Sequence, residues 1–301
     1  MMILAGCGDN DAGSTGGAAD TAAGEVDADS DGFTADEDCD DESRAVYPGA
    51  VEICDGQDSD CDGQSLLWEE DTDGDGVLDC NLCAQYGFWP EILDVVDNVS
   101  MEAFFEANLT TTPCTQYQTE RSYLFQFLDN TDDSVECIYT AASFVVSDAD
   151  PNWSIVNTEH VWPRSDGAQF EPVECDLHHL YPAEVDANAK RASTPFGEVV
   201  DDVVWSVGGS RLGDDASGQQ VFEPRDEKKG DVARAILYIS ARYPDQVDQL
   251  AQVTAAREAT LRSWHLSDPP DAVDAERSRL IAGRQGHANP FVVCPRVTEL
   301  Y

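Results

Sequence analysis

Apolar and polar positions divide the chain unevenly. Large aliphatic and aromatic side chains concentrate after about residue 84, and the first 80 residues are too polar and glycine-rich to fold on apolar burial alone. Beyond residue 84 the pattern becomes that of a mixed α/β domain. "ECIYTAASFVV" (136–146) and "WSIVNTEHVW" (153–162) are rich in β-branched and aromatic residues and predict strands. "ECDLHHLYPAE" is a short apolar run that Pro182 is expected to stop, with His178 and His179 alternating inward and outward on a second strand. "VDANAKRAS" then opens a helical turn. Further on, "RDEKKG" predicts a loop leading into the helix "DVARAILYISARYP", with Ala233, Ile236, Leu237 and Ser240 on one face.

Charge sharpens the division. Residues 1–80 carry 24 acidic side chains against the single basic residue Arg44, and residues 81–301 carry 36 acidic against 16 basic. The net charge of the whole chain is −43.

The chain opens "MMILAGCGDNDAGSTGG", where LAGC has the form of a bacterial lipobox and makes Cys7 the candidate lipidated residue. A small-residue tether follows. Residue 8 is Gly rather than Asp, which by resemblance to Gram-negative lipoproteins favours the outer membrane; a cell-surface or secreted protein is the wider expectation. No later segment has the apolar length of a membrane span, so a lipid would be the only anchor. The ten cysteines stand at 7, 39, 54, 61, 80, 83, 114, 137, 175 and 294. In an exported chain those other than Cys7 are expected to pair, and nine being odd, at least one stays free or pairs outside the chain. Cys114, Cys137, Cys175 and Cys294 are expected to pair among themselves. Cys80 and Cys83 form a lone CxxC without the second pair that a zinc site requires.

Residues 27–64 alternate carboxylates with glycines and cysteines, so that short acids in irregular loops can converge on one hard cation. The segment resembles a short cysteine-containing acidic metal-binding repeat of bacterial surface proteins. "DTDGDGVLDC" follows, with Asp71, Asp73, Asp75 and Asp79; it resembles thrombospondin type 3 and EF-hand-like calcium loops but lacks the glutamate that closes a 12-residue EF-hand loop. The expectation is an irregular calcium-binding acidic module.

The densest chemistry lies in "NTEHVWPRS" (157–165), where Glu159 and His160 are adjacent. Neighbours on a strand point to opposite faces, so the two can serve one point only where the strand ends or twists. There a carboxylate can hold a divalent metal while an imidazole takes a proton from water. Asn188, from the following helix, offers a neutral carbonyl oxygen as a second ligand. Two protein ligands leave room for water and phosphate oxygens, which suits Mg2+.

With "DLHHLYPAEVDANAKRASTPFGEV", "KGDVARAILYISARYP" and "LRSWHLSDPPDAVDAERSRLIAGRQGHANPFV", this stretch resembles the Endonuclease I family over roughly residues 85–301. The resemblance implies a ββα-metal (His-Me finger) core in an α+β domain, His160 as general base, Glu159 and Asn188 as metal ligands, and 5′-phosphate products from nonspecific cleavage of DNA, with RNA left open. Arg191, three residues after Asn188, and Arg164 are the candidates for holding a phosphate oxygen. Two departures stand out: Ser193 and His287 occupy positions where relatives often carry Asn.

The predicted organisation is a lipobox and tether (1–26), an acidic metal-binding module (27–83) and a catalytic domain (84–301), with no protein partner implied. A second reading, a calcium-binding surface lipoprotein with an inactive nuclease-like scaffold, draws on the acidity. Strong acidity is unfavourable for approaching a polyanion, and a cluster of Arg164, Lys190, Arg191, Arg225, Lys228, Lys229 and Arg234, bound cations, or a salty medium could offset it.

Overall fold

The computed structural model describes residues 114–146, 151–294 and 297–300, together with scattered positions in 27–63 and 103–109. The chain divides into two compact units, Met1–Leu66 and Leu67–Tyr301. In the first, a Cys39–Cys61 disulfide joins two acidic loops, and Phe33 stacks on Tyr47.

The second unit is an α+β domain. Helix α1 (Tyr117–Tyr123) runs on through a wider turn at Leu124–Leu128 that buries Leu124 and Phe125. Strands β1 (Asn130–Thr131), β2 (Ser134–Glu136) and β3 (Ser143–Val145) follow as an antiparallel meander. The turn between β1 and β2 uses Asp132 and Asp133 at positive φ, a conformation that short acidic side chains tolerate. The predicted single strand over 136–146 is therefore broken. Residues 137–142 form a turn that buries Cys137 to Thr140, with Ala141 at φ 57° and the Cys137 sulfur accepting from Thr140 N.

β4 (Val156–His160) and β5 (Leu180–Glu184) form an antiparallel ribbon, with Thr158 opposite Pro182 and His160 opposite Leu180. Contrary to expectation, Pro182 does not end the strand. Its carbonyl accepts from Ile138 N, so this residue's backbone polar groups face away from β4 and the missing N–H costs the ladder nothing. His178 and His179 are also not on a strand. The Asp176 side chain accepts from His178 N and caps a 3-10 turn over Leu177–His179, which buries both imidazoles before β5 begins. Helix α2 (Val185–Arg191) follows β5 directly and packs on both strands, completing a ββα unit. Ala192, at φ 50°, ends it.

A second antiparallel sheet, β6 (Asp201–Val207), β7 (Ser210–Asp214) and β8 (Gln220–Glu223), leads into helix α3 (Lys229–Arg242). One buried face was predicted for α3; every residue from Gly230 to Ser240 is buried, which makes it the central helix. At Gly230 a side chain has no room, because a Cβ would lie 1.8 Å from the Asp268 carbonyl oxygen. Short α4 (Gln249–Gln252), then α5 (Ala255–Ser267), α6 (Ala272–Gln285), α7 (Pro290–Val293) and α8 (Val297–Leu300) complete the domain. Asp271 and Asp274 form a capping box at the start of α6.

His265 and His287 are both buried, and His287 belongs to a polar network that joins the helices to the 3-10 turn. Asp176 Oδ2 accepts from the hydroxyls of Tyr238 and Tyr243 at 2.7 Å each, and Tyr238 also meets His287 Nε2 at 2.6 Å. Cys114 and Cys175 are disulfide-bonded, tying α1 to the β4–β5 connection. Cys137 does not take part in the expected four-cysteine pairing: it is a buried free thiol whose sulfur accepts from Glu184 N. Cys294 is also in a disulfide. Among the described residues, no helix is long and apolar enough to cross a membrane.

Candidate nuclease site

β4 ends at His160, and the end of the strand is what lets adjacent side chains share a site. Thr158, Glu159 and His160 line a cleft of about 300 Å3 together with Arg164, Asn188 and Ser193. Glu159 is 2% exposed and His160 7%.

His160 Nε2 lies 3.0 Å from the carbonyl oxygen of Glu174. A carbonyl can only accept, so Nε2 carries the proton and Nδ1 keeps the free lone pair. The ring packs between Tyr117, with centroids 5.2 Å apart, and His179, at 5.4 Å. Burial, with His179 and Arg164 nearby, holds the imidazole well below its ordinary pKa, although the Glu174 carbonyl opposes this. The ring is thus neutral at neutral pH, the state a general base requires.

Glu159 accepts a 2.8 Å hydrogen bond from the Tyr139 hydroxyl at Oε1, and Arg191 Nη1 stands 3.6 Å from the same atom. Burial pushes its pKa up to about 7, against the lowering effects of Arg191 and Tyr139. Oε2 is left open to the cleft. Asn188 spends its amide nitrogen on Asn157 Oδ1 (2.8 Å) and the Thr158 carbonyl (3.1 Å), which orients its own Oδ1 as the uncommitted atom. These two hard oxygens fit a divalent cation of the Mg2+ or Mn2+ kind.

The arginine expectations divide. Arg164 is at the cleft with its side chain 55% exposed, tethered to Glu174 at 2.5 Å. Arg191 is not at the surface: its side chain is 1% exposed, donates to the Val161 carbonyl at 2.6 Å and lies over the Phe196 ring. The wider basic cluster also dissolves. Arg225 and Arg234 are buried, Lys228 pairs with Asp231, and Lys229 pairs with Glu223. Lys190 is exposed on α2.

Three contributors were not foreseen in the sequence. Asn157, two residues before Glu159, could have been found from strand alternation. Tyr139, from the turn between β2 and β3, and the Glu174 carbonyl, from a 3-10 turn in the β4–β5 connection, carry no residue-type signal for these roles.

In the first unit, Gly32 N donates to Asp27 and Gly63 N to Asp58, repeating one loop contact. Asp38, Cys39 and Cys61 lie together, but the two sulfurs are joined to each other and are not thiolate ligands. Asp71, Asp73, Asp75, Asp79 and Cys7 lie outside the described residues.

A model of a metal-binding motif, named for copper binding, matches residues 38–65. An extracellular ribonuclease of Bacillus subtilis (strain 168) is 32% identical over 153 residues, 46% of this chain and 51% of that protein. A periplasmic deoxyribonuclease of Aeromonas hydrophila is 27% identical over 153 residues, 47% of this chain and 60% of that protein. An extracellular deoxyribonuclease of the same organism is 30% identical over 129 residues, 41% and 51%. The chain thus spans about half the length of the curated relatives it matches. The model of the Endonuclease I family matches residues 95–296, which takes in the ββα unit, the cleft and the helices behind it. More than half of the chain falls within that match, and the protein belongs to the Endonuclease I family.

Proposed function

We propose that the protein is an exported, metal-dependent endonuclease that hydrolyses phosphodiester bonds of DNA or RNA without sequence preference. The observation that carries this reading is the oriented imidazole of His160. Its proton is committed to the Glu174 carbonyl, and its lone pair shares a cleft with the free oxygens of Glu159 and Asn188. His160 Nδ1 takes a proton from a water molecule as that water's oxygen attacks phosphorus. The bond from phosphorus to the 3′ oxygen breaks, the leaving oxygen takes up a solvent proton to become a 3′ hydroxyl, and the phosphate stays on the 5′ end of the downstream fragment. The Glu174 carbonyl stabilises the imidazolium that forms. Arg164 is placed to hold a nonbridging oxygen. A divalent cation bound by Glu159 and Asn188, which we take to be Mg2+, supplies neutralisation of the charge gathering on the phosphate.

Disulfides in both units and the extracellular or periplasmic relatives support export. Anchoring through a lipid on Cys7 belongs to the same proposal. The test is digestion of plasmid DNA and of RNA by the purified chain with Mg2+, Ca2+ or chelator. Cleavage with Mg2+ that chelator stops is the expected result, and none with any cation would leave the inactive calcium-binding scaffold.

The front module is proposed to bind Ca2+. Asp38 is 8% exposed and its Oδ2 is buried without a hydrogen-bond partner, which suits a carboxylate that answers to a cation. Chelator is expected to speed proteolysis within residues 27–80 and to reduce their ordered circular-dichroism signal, and Ca2+ to reverse both. Identical digestion patterns with and without chelator would exclude the idea.

The charge distribution gives an unusual expectation for salt. With −43 on the chain and, of the expected cluster, only Arg164 lining the cleft, long-range repulsion opposes the approach of DNA. The screening length shrinks from about 30 Å at 10 mM salt to about 10 Å at 100 mM. The value of kcat/KM on plasmid is therefore expected to rise over that interval, whereas a nuclease with a basic face loses affinity steadily. A monotonic fall from 10 mM upward would show that a positive surface is present after all.

A further inference from the structure

Tyr139 lies in the turn between β2 and β3, outside the ββα unit, and is fully buried. Its ring meets Phe222 edge to face with centroids 4.8 Å apart. The turn around it is clamped from three directions. Ser210 Oγ donates to the Tyr139 carbonyl at 2.7 Å, Arg225 Nε donates to the Ile138 carbonyl at 3.0 Å, and Gly208 packs so closely that a Cβ there would stand 2.4 Å from the Thr140 carbonyl oxygen. A phenylalanine would fill the same space against Phe222. The hydroxyl serves one partner, Glu159 Oε1 at 2.8 Å, and Arg191 at 3.6 Å is too far to make a normal hydrogen bond to that oxygen. Among the described residues, Tyr139 therefore gives this carboxylate its one hydrogen bond.

We propose that Tyr139 is a positioning residue for the catalytic cation: its fixed hydroxyl occupies one oxygen of Glu159 and thereby sets the other toward the cleft. The inference rests on Glu159 being a cation ligand. Outer partners of metal ligands typically contribute about 10–100-fold to metal affinity. Tyr139→Phe is accordingly expected to raise the Mn2+ dissociation constant of the cleft by that factor, while kcat at saturating cation stays within a few-fold of wild type.

The test titrates Mn2+ into the full-length chain, reading free ion by electron paramagnetic resonance, with kcat measured in parallel across cation concentration. Glu159→Gln identifies the cleft site, because whatever the front module binds persists in that variant. If wild type and Glu159→Gln bind alike, the cation assignment of Glu159 fails, and Tyr139 with it. If a Glu159-dependent site is present and Tyr139→Phe binds with unchanged affinity, the positioning role alone is overturned. A lower melting temperature with unchanged affinity likewise marks a purely structural tyrosine. Phe222→Leu, which disturbs the ring packing and keeps the hydroxyl, is expected to lower stability and leave affinity in place. Should Tyr139→Phe not fold, 3-fluorotyrosine at position 139 keeps the shape and makes the hydroxyl a stronger donor. A shift in the dissociation constant then supports the role, and an unchanged one refutes it.

Discussion

His160→Ala is expected to abolish detectable plasmid nicking, a loss of at least about 100-fold in kcat, while the protein stays folded and binds cation as before. Among the described residues the imidazole makes one hydrogen bond, to the Glu174 carbonyl, and packs against Tyr117 and His179. Its removal takes out the proposed base and leaves Glu159 and Asn188 with all their partners. Added imidazole should restore part of the rate if proton transfer is what was lost, because a diffusible base can enter the space left by the ring. Retained nicking by purified His160→Ala would show that another group primes the water, and the function proposed for the cleft would need a different base.

How much of this could be seen in the sequence depended on the range of the interactions. Glu159, His160 and Asn188 were legible because they lie within one ββα unit, where strand alternation and a short helix decide placement from local pattern. The same local rules misplaced His178 and His179. Asp176 captures His178 N and folds the chain into a turn, and that hydrogen bond outcompetes a strand which β-propensity alone favours. Pro182 misled in the other direction, since only the pairing with β4 reveals which edge lacks the donor. Tyr139 was illegible for a further reason. Nothing in "ECIYTAASFVV" says that the chain reverses inside it, because the residues that clamp the reversal, Ser210 and Arg225, come some seventy to ninety positions later.

Arg191 combines both kinds of range, and its substitution has the largest expected effect on stability. Three residues after Asn188 on a helix, it shares a face with that asparagine, which is why a phosphate contact was expected. The same face, however, looks back into the ββα unit. There the guanidinium meets the Val161 carbonyl, the Phe196 ring and, at 3.6 Å, the buried Glu159 carboxylate. Arg191→Met keeps much of the apolar stem but leaves that carboxylate without its positive neighbour and the carbonyl without its donor. Removing one member of a buried ion pair costs about 3–5 kcal/mol, so the melting temperature should fall by several degrees or more, and Lys190→Met beside it should change it little. A phosphate-binding arginine would behave in the opposite way. DNA binding would weaken, the slope of log affinity against log salt would become shallower by about one contact, and stability would hold. Measuring both quantities in a His160→Ala background, where bound DNA is not cut, separates the two roles. An unchanged melting temperature with weakened DNA binding would return Arg191 to the substrate.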